Sequence, residues 1–201
     1  PHPLAPRFVT LRGEPGIGKT TIGYAVAKLI PTSRIVEVTG NAFLDTYKNS
    51  CAGNIHTFFG QFKHNTIPAI IIIDEFDKTI HKTHQKDFHD TDFLSEFMKA
   101  LDSLPQHVLV IMTANSDFNF ESHEAFAESR LRATCYTLGK ASNEQRKLAI
   151  AQKLAQLEIS DQDTIDSVTK AAHDLSLREI DQLFSAVYIA SLNESVTIDL
   201  I

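Results

Sequence analysis

The chain has 201 residues, 43% of them hydrophobic, with 19 Lys and Arg against 25 Asp and Glu and a formal net charge of −6. This suits one large and one small folded unit and excludes a disordered or fibrous chain. The negative charge speaks against a dedicated nucleic-acid grip, although a local basic face stays open, and no apolar run approaches the roughly 20 residues that a membrane-spanning helix needs. Cys51 and Cys135 stand far apart in no metal or redox motif, so a cytoplasmic or other reducing compartment is expected. No signal peptide is visible and the chain begins at Pro1, as expected of a domain cut from a longer protein.

The apolar run Phe8–Leu11 predicts a first strand, and Thr20–Leu29 predicts a helix stopped by Pro31. Between them lies Gly13-Glu14-Pro15-Gly16-Ile17-Gly18-Lys19-Thr20, the phosphate-loop pattern G-x-x-x-x-G-K-[ST] in a strand–loop–helix setting. Its glycines let backbone N–H groups approach phosphate oxygens, and the following helix adds its positive end. Lys19 reaches the β- and γ-phosphates and the Thr20 hydroxyl ligates Mg²⁺; Thr21 is counted with the phosphate-binding set. The implied ligand is a nucleoside triphosphate with magnesium.

Arg34–Val38 predicts a second strand, and Phe58–His64 a helix with Phe58, Phe59 and Phe62 on one face. Ile70-Ile71-Ile72-Ile73 has the continuous β-branched character of a central parallel strand buried on both faces. It runs into Asp74-Glu75-Phe76-Asp77, where Asp74 would hold the Mg²⁺ shell and Glu75 would polarise an attacking water. His81, His84 and His89 have an imaginable zinc spacing, but with no Cys or paired acid to support it the stretch reads as a polar loop. Phe93–Leu101 predicts a helix closed by Pro105, and Val108–Met112 another buried strand. Asn115 follows in Thr113-Ala114-Asn115, where an amide can orient the water by donating and accepting at once; Thr113 is a weaker candidate for the same place. Thr134–Leu138 predicts a last strand and Gly139-Lys140 a linker.

Three helices follow, over Gln145–Leu157, Asp161–Ala172 and Ser176–Leu192, with capping boxes at Ser142/Gln145 and Ser176/Glu179. The fold class is α/β: a doubly wound parallel-sheet P-loop NTPase core over residues 1–139, then a small all-helical lid over 140–201.

In this order and spacing the elements resemble the AAA+ ATPase family along nearly the whole chain, the core nearest its protein-remodelling branch. Pro68–Asp77 resembles the family's Walker B segment and Thr113-Ala114-Asn115 its sensor 1. Glu128-Ser129-Arg130-Leu131-Arg132 falls where the family keeps arginine fingers, in a short form nearer clamp-loader relatives. Leu175–Ile180 resembles the start of the sensor 2 helix, with Arg178 in place. The resemblance implies ATP and Mg²⁺ as ligands and a homo-oligomer, with a hexameric ring as the expected form. Arg130 or Arg132 is then a finger acting on a neighbouring subunit; Arg130 is favoured, and surface pairing with Glu121, Glu124 or Glu128 is the alternative. Tyr47, in Tyr47-Lys48-Asn49, is the candidate for gripping a protein substrate, against a plain surface tyrosine. The expected function is Mg-dependent ATP hydrolysis that drives remodelling or translocation of a macromolecule, foremost a protein. A nucleic-acid motor, helicase or loader is the second class. A nucleotide-switched scaffold is the third, and the intact Glu75 argues against it.

Overall fold

The computed structural model describes residues 7–30, 33–44, 50–64, 66–83, 93–118 and 135–192. Tyr47, Arg130, Arg132, His84 and His89 lie outside them. The chain divides into two units, one comprising the residues up to Gly13 together with Lys19–Leu138, the other Glu14–Gly18 together with the residues from Gly139 on.

Among the described residues the first unit is built on five parallel strands: β1 (Phe8–Arg12), β2 (Arg34–Thr39), β3 (Ala69–Asp74), β4 (Val108–Ala114) and β5 (Cys135–Thr137). Their order is β2-β3-β4-β1-β5. The strand with the longest β-branched run, β3, pairs with β2 on one side and β4 on the other, as its two-faced apolar character requires. Side-chain alternation sorts its isoleucines. Ile70 and Ile72 join Leu11, Ile111 and Ala27, the last from helix α1 (Lys19–Lys28). Ile71 and Ile73 join the opposite core, formed with α2 (Ser50–Gly60), α3 (Phe76–Thr83) and α4 (Phe93–Asp102). Helices thus cover both faces, and the sheet is doubly wound.

The α2–α4 side is an aromatic core. The ring of Phe97 meets those of Phe43, Phe59, Phe76 and Phe93 at centroid distances of 5.7, 5.6, 4.8 and 5.8 Å, within the range where ring quadrupoles add to area burial. A 3-10 turn at Gly40–Phe43 delivers Phe43 to this core. Gly40 is obligatory there, because a Cβ would stand 2.1 Å from Thr79 Oγ1 and 3.2 Å from Phe76 Cα.

Two expectations need correction. The helix expected at Phe58–His64 is instead Ser50–Gly60, and Phe62 lies on the turn that follows. The buried stripe Cys51, Ile55 and Phe59, spaced every four residues, overrides the low helix propensity of Gly53, about 1 kcal/mol against Ala. His81 lies on α3 rather than in a polar loop. Phe76 and Ile80 on that helix are fully buried, and the i, i+4 pair outweighs the polar residues around it.

The second unit contains α5 (Asn143–Gln156), α6 (Gln162–Ala171) and α7 (Leu177–Leu192), packed around Ile150, Leu154, Ile165, Ala172, Ile180 and Phe184. Its helix starts are closed by side chains. Gln145 N–H donates to Ser142 Oγ at 3.2 Å and Ser142 N–H to Gln145 Oε1 at 2.8 Å. Asp161 accepts from Thr164 N–H at 2.8 Å. Ser176 N–H donates to Glu179 Oε2 at 2.7 Å. Lys147 pairs with Asp166 at 2.5 Å, tying α5 to α6. None of the described helices is long and apolar enough to cross a membrane.

Phe97→Ala removes a ring that packs against those of Phe43, Phe59, Phe76 and Phe93 and should cost about 3–5 kcal/mol in denaturant unfolding, whereas Leu29→Ala, at a position 80% exposed, should stay within about 0.5 kcal/mol. In the helical unit, hydrogen bonds from Thr164 N–H, from Lys147 and from Ser176 N–H hold the carboxyls of Asp161, Asp166 and Glu179 respectively below their ordinary pKa values. Depressed folded pKa values give stability that is present above the unfolded pKa and lost as pH falls through the folded one. The melting temperature should therefore drop as pH is lowered from about 5 towards 3, and Glu179→Gln combined with Asp161→Asn should make that drop shallower.

Candidate active site

In a doubly wound sheet, ligands bind beyond the carboxyl ends of the strands. In the sheet unit those ends carry Gly13 after β1, Asp74 and Glu75 at β3, and Asn115 after β4. Parity decides which face Asp74 uses. It shares the side of β3 with Ile70 and Ile72, which pack with α1, and α1 begins at Lys19 and Thr20. The register, with Ile73 opposite Met112, puts Asp74 beside Thr113. Thr20 Oγ1 accordingly donates to Asp74 Oδ1 at 3.1 Å, and Thr113 Oγ1 donates to the same oxygen. Thr113 is 1% exposed and its hydroxyl also accepts from Glu75 N–H at 3.1 Å. One buried hydroxyl thus ties Asp74 and Glu75 to β4.

Glu75 has φ 54°, in the left-handed region that a non-glycine residue seldom occupies and that marks functional turns. Its carbonyl accepts from Lys78 N–H at 3.1 Å, and its carboxylate forms an ion pair with the Lys78 ammonium. Hydrogen bonding to Glu75 holds the Lys78 pKa above its ordinary value, against the opposing effect of desolvation. Asn115 Nδ2 donates to Asp77 Oδ2 at 2.8 Å, and Asp77 is 3% exposed. The Asn115 side-chain oxygen keeps its acceptor capacity. Lys19 Nζ donates to Gly13 O at 2.8 Å, and Gly13 N–H donates to Ala114 O at 3.2 Å. Thr21 is exposed on the first turn of α1.

Residues Glu14–Gly18 group with the helical unit. Gly16 and Gly18 have φ of 80° and 93°, and the contacts of Gly16 are close as well. A Cβ there would stand 3.0 Å from both Arg178 Cβ and Ser176 Oγ, while Gly16 O accepts from Arg178 N–H at 3.2 Å. Within this unit a cleft of about 780 Å³ is lined by Glu14, Pro15, Ile17, Arg146, Ser176 and Arg178, among others. Arg146 donates to Ala141 O at 2.6 Å, and Glu14 pairs with Lys140 at 3.5 Å.

The donor set fits a hard cation. The Thr20 hydroxyl and one carboxylate, Asp74, are the sparse oxygen ligands Mg²⁺ takes when phosphates supply the rest. Among the described residues no group of three or more His, Cys, Asp or Glu could hold a metal ion by itself. Two residues here were given no role by sequence reasoning: Asp77, which holds Asn115, and Lys78, which holds Glu75. Asp77 was discoverable in principle, as an acid at the start of a helix that follows a buried strand. Nothing in the local pattern singles out Lys78.

The profile of the ATPase family associated with various cellular activities (AAA) matches residues 9–136. The chain belongs to the AAA family. It is therefore an ATP-binding P-loop domain of the ATP-hydrolysing type. Cell division protein C of Sulfolobus acidocaldarius is 25% identical over 198 residues, 94% of this chain and 51% of that protein. The 26S proteasome regulatory subunit 6B homolog of Aspergillus niger is 34% identical over 116 residues, 55% of this chain and 27% of that protein. ATP-dependent zinc metalloprotease FtsH 2 of Phytoplasma mali is 30% identical over 112 residues, 54% of this chain and 16% of that protein. The chain spans about half of the first of these relatives and less of the other two.

The Thr113 hydroxyl generates a prediction. Thr113→Val keeps the shape of the side chain but frees both Asp74 and the Glu75 amide. Turnover at saturating Mg-ATP should fall about 10- to 100-fold, the usual loss when a residue that orients a metal ligand is removed. Thr113→Ser should recover most of it.

Proposed function

We propose that this domain works in an oligomeric AAA ring that spends ATP on remodelling or translocating a macromolecular substrate, foremost a protein. The carrying observation is the Asp74 carboxylate held between the Thr20 and Thr113 hydroxyls, with Glu75 as the next residue. In this reading the N–H groups of residues 13–18 bind phosphate oxygens and Lys19 neutralises charge on the β- and γ-phosphates. Thr20 and Asp74 would hold Mg²⁺, which when bound would offset the charge that develops on the phosphate oxygens. The Glu75 carboxylate accepts a hydrogen bond from the attacking water and aligns it. Asn115 accepts from that water while its amide stays on Asp77. Arg178, whose backbone meets the loop at Gly16, brings a further cation, and the helical unit acts as a lid. Arg130 or Arg132 reaches a neighbouring subunit's γ-phosphate, with a hexamer as the expected ring.

The protein substrate is favoured by the names of two relatives, an ATP-dependent protease and a proteasome regulatory subunit, and by the net charge of −6. Tyr47 is the proposed grip. Cys51 and Cys135, far apart in the sequence and in no metal or redox motif, favour a cytoplasmic or other reducing compartment.

Lys19→Ala should lose nucleotide affinity, while Glu75→Gln should bind ATP and slow hydrolysis by about 10²–10⁴, the range for a lost general base. Arg130→Ala should cost about 10³–10⁵ in turnover, and mixing it with Glu75→Gln should restore some activity, because an intact finger then meets an intact Glu75. Arg132→Ala is the parallel test of the alternative finger. Near-normal hydrolysis by Glu75→Gln removes the assignment. Stimulation by single-stranded nucleic acid that fades with salt, with none by unfolded polypeptide, would reverse the choice of substrate.

A further inference from the structure

The first turn of α3 holds both side chains that the proposed function assigns to the water. Asp77 takes the Asn115 amide and Lys78 takes the Glu75 carboxylate, from adjacent positions. The two arrangements differ in effect. The Asp77 bond uses only the donor side of Asn115 and leaves its oxygen to accept. The Lys78 bond occupies the group that must accept from water.

We infer that Lys78 is a positioning residue that restrains Glu75, drawing its carboxylate onto α3 so that water must compete with an ammonium for it. This rests on Glu75 being the group that polarises the water. Three features of the geometry support it. The Glu75 backbone is held at both ends, by its N–H on Thr113 Oγ1 at 3.1 Å and its carbonyl under Lys78 N–H at 3.1 Å, so the choice of partner is left to the side chain. The left-handed φ of 54° turns the chain sharply from β3 into α3, which brings residue 78 within reach of residue 75. The two side chains are 49% and 44% exposed, so the pair can open without unfolding anything and is of the weak, salt-screened kind. Lysine is cationic at neutral pH by its ordinary pKa, and the hydrogen bond to Glu75 raises that pKa further.

A weak pair sets the size of the effect. Lys78→Met should raise turnover at saturating Mg-ATP about two- to five-fold with KM for ATP unchanged, while Lys78→Arg, which keeps the cation, should behave as the wild type. Raising the salt concentration at saturating Mg-ATP should speed the wild type more than Lys78→Met. A fall or no change in turnover for Lys78→Met overturns the inference, as does an equal rise in Lys78→Arg. Glu75→Gln and the double variant separate the two readings. If Glu75→Gln is inactive and the double variant no faster, Glu75 keeps its role and the Lys78→Met result alone decides the restraint. If Glu75→Gln hydrolyses ATP normally, the assignment of Glu75 fails and the restraint with it. Equal melting temperatures for Lys78→Met and the wild type exclude a structural origin for the change.

Discussion

The site depends on one carboxylate and the two hydroxyls that hold it. Asp74 ends β3, whose five preceding residues are all buried, and Thr20 and Thr113 both donate to the same oxygen. Hydrogen bonds to a charged acceptor at a partly buried position are worth about 1.5–3 kcal/mol each and cost more when left unmade. The three residues come from α1, β3 and β4, more than 35 positions apart at the closest. Their meeting requires that β3 and β4 keep their register and that α1 lie on the face that Ile70, Ile72 and Asp74 share. A shift of one residue would turn Asp74 towards the aromatic core, where burial of a carboxylate is costly.

The two cores enforce this arrangement with different materials. On the α1 side the packing is aliphatic and thin, with Ala27 and Gly23 allowing the helix close to the strand; a Cβ on Gly23 would already be 3.2 Å from Ile72. On the other side, interlocking phenylalanines bind α2, α3 and α4 to the sheet. That second core sets the start of α3, through Phe76 in the aromatic cluster and through Gly40, whose missing side chain leaves room for Thr79. The start of α3 carries Asp77 and Lys78, so the packing of the aromatic core reaches the two side chains assigned to the water. In the helical unit the corresponding element is the start of α7, whose Arg178 amide meets the loop at Gly16.

Much of the sheet was legible because its signals are local and strong. A continuous isoleucine run needs burial on both faces, and G-x-x-x-x-G-K-T needs a strand before it and a helix after it. Both capping boxes were readable as pairs spaced by three residues. The elements that were misread depend on distant partners. Helix α2 contains a glycine that local propensity disfavours, and α3 is rich in polar residues; each is helical because a stripe of side chains finds a core supplied by other segments. The same holds in the site. Asp74, Glu75 and Asn115 announce themselves by following apolar strands, whereas the task of Thr113 becomes evident only when β4 lies beside β3.

The amino-acid sequence by itself determined the ATP-binding P-loop class and the α/β order of elements, and marked out the residues proposed to bind phosphate, because each rests on contiguous residues whose chemistry needs no partner from elsewhere. The tertiary structure decided which oxygen anchors Asp74, that Asp77 takes Asn115, and that Lys78 takes Glu75. These are contacts across strands, or across a left-handed turn, and sequence spacing leaves such distances undetermined until the register and the helix faces are set.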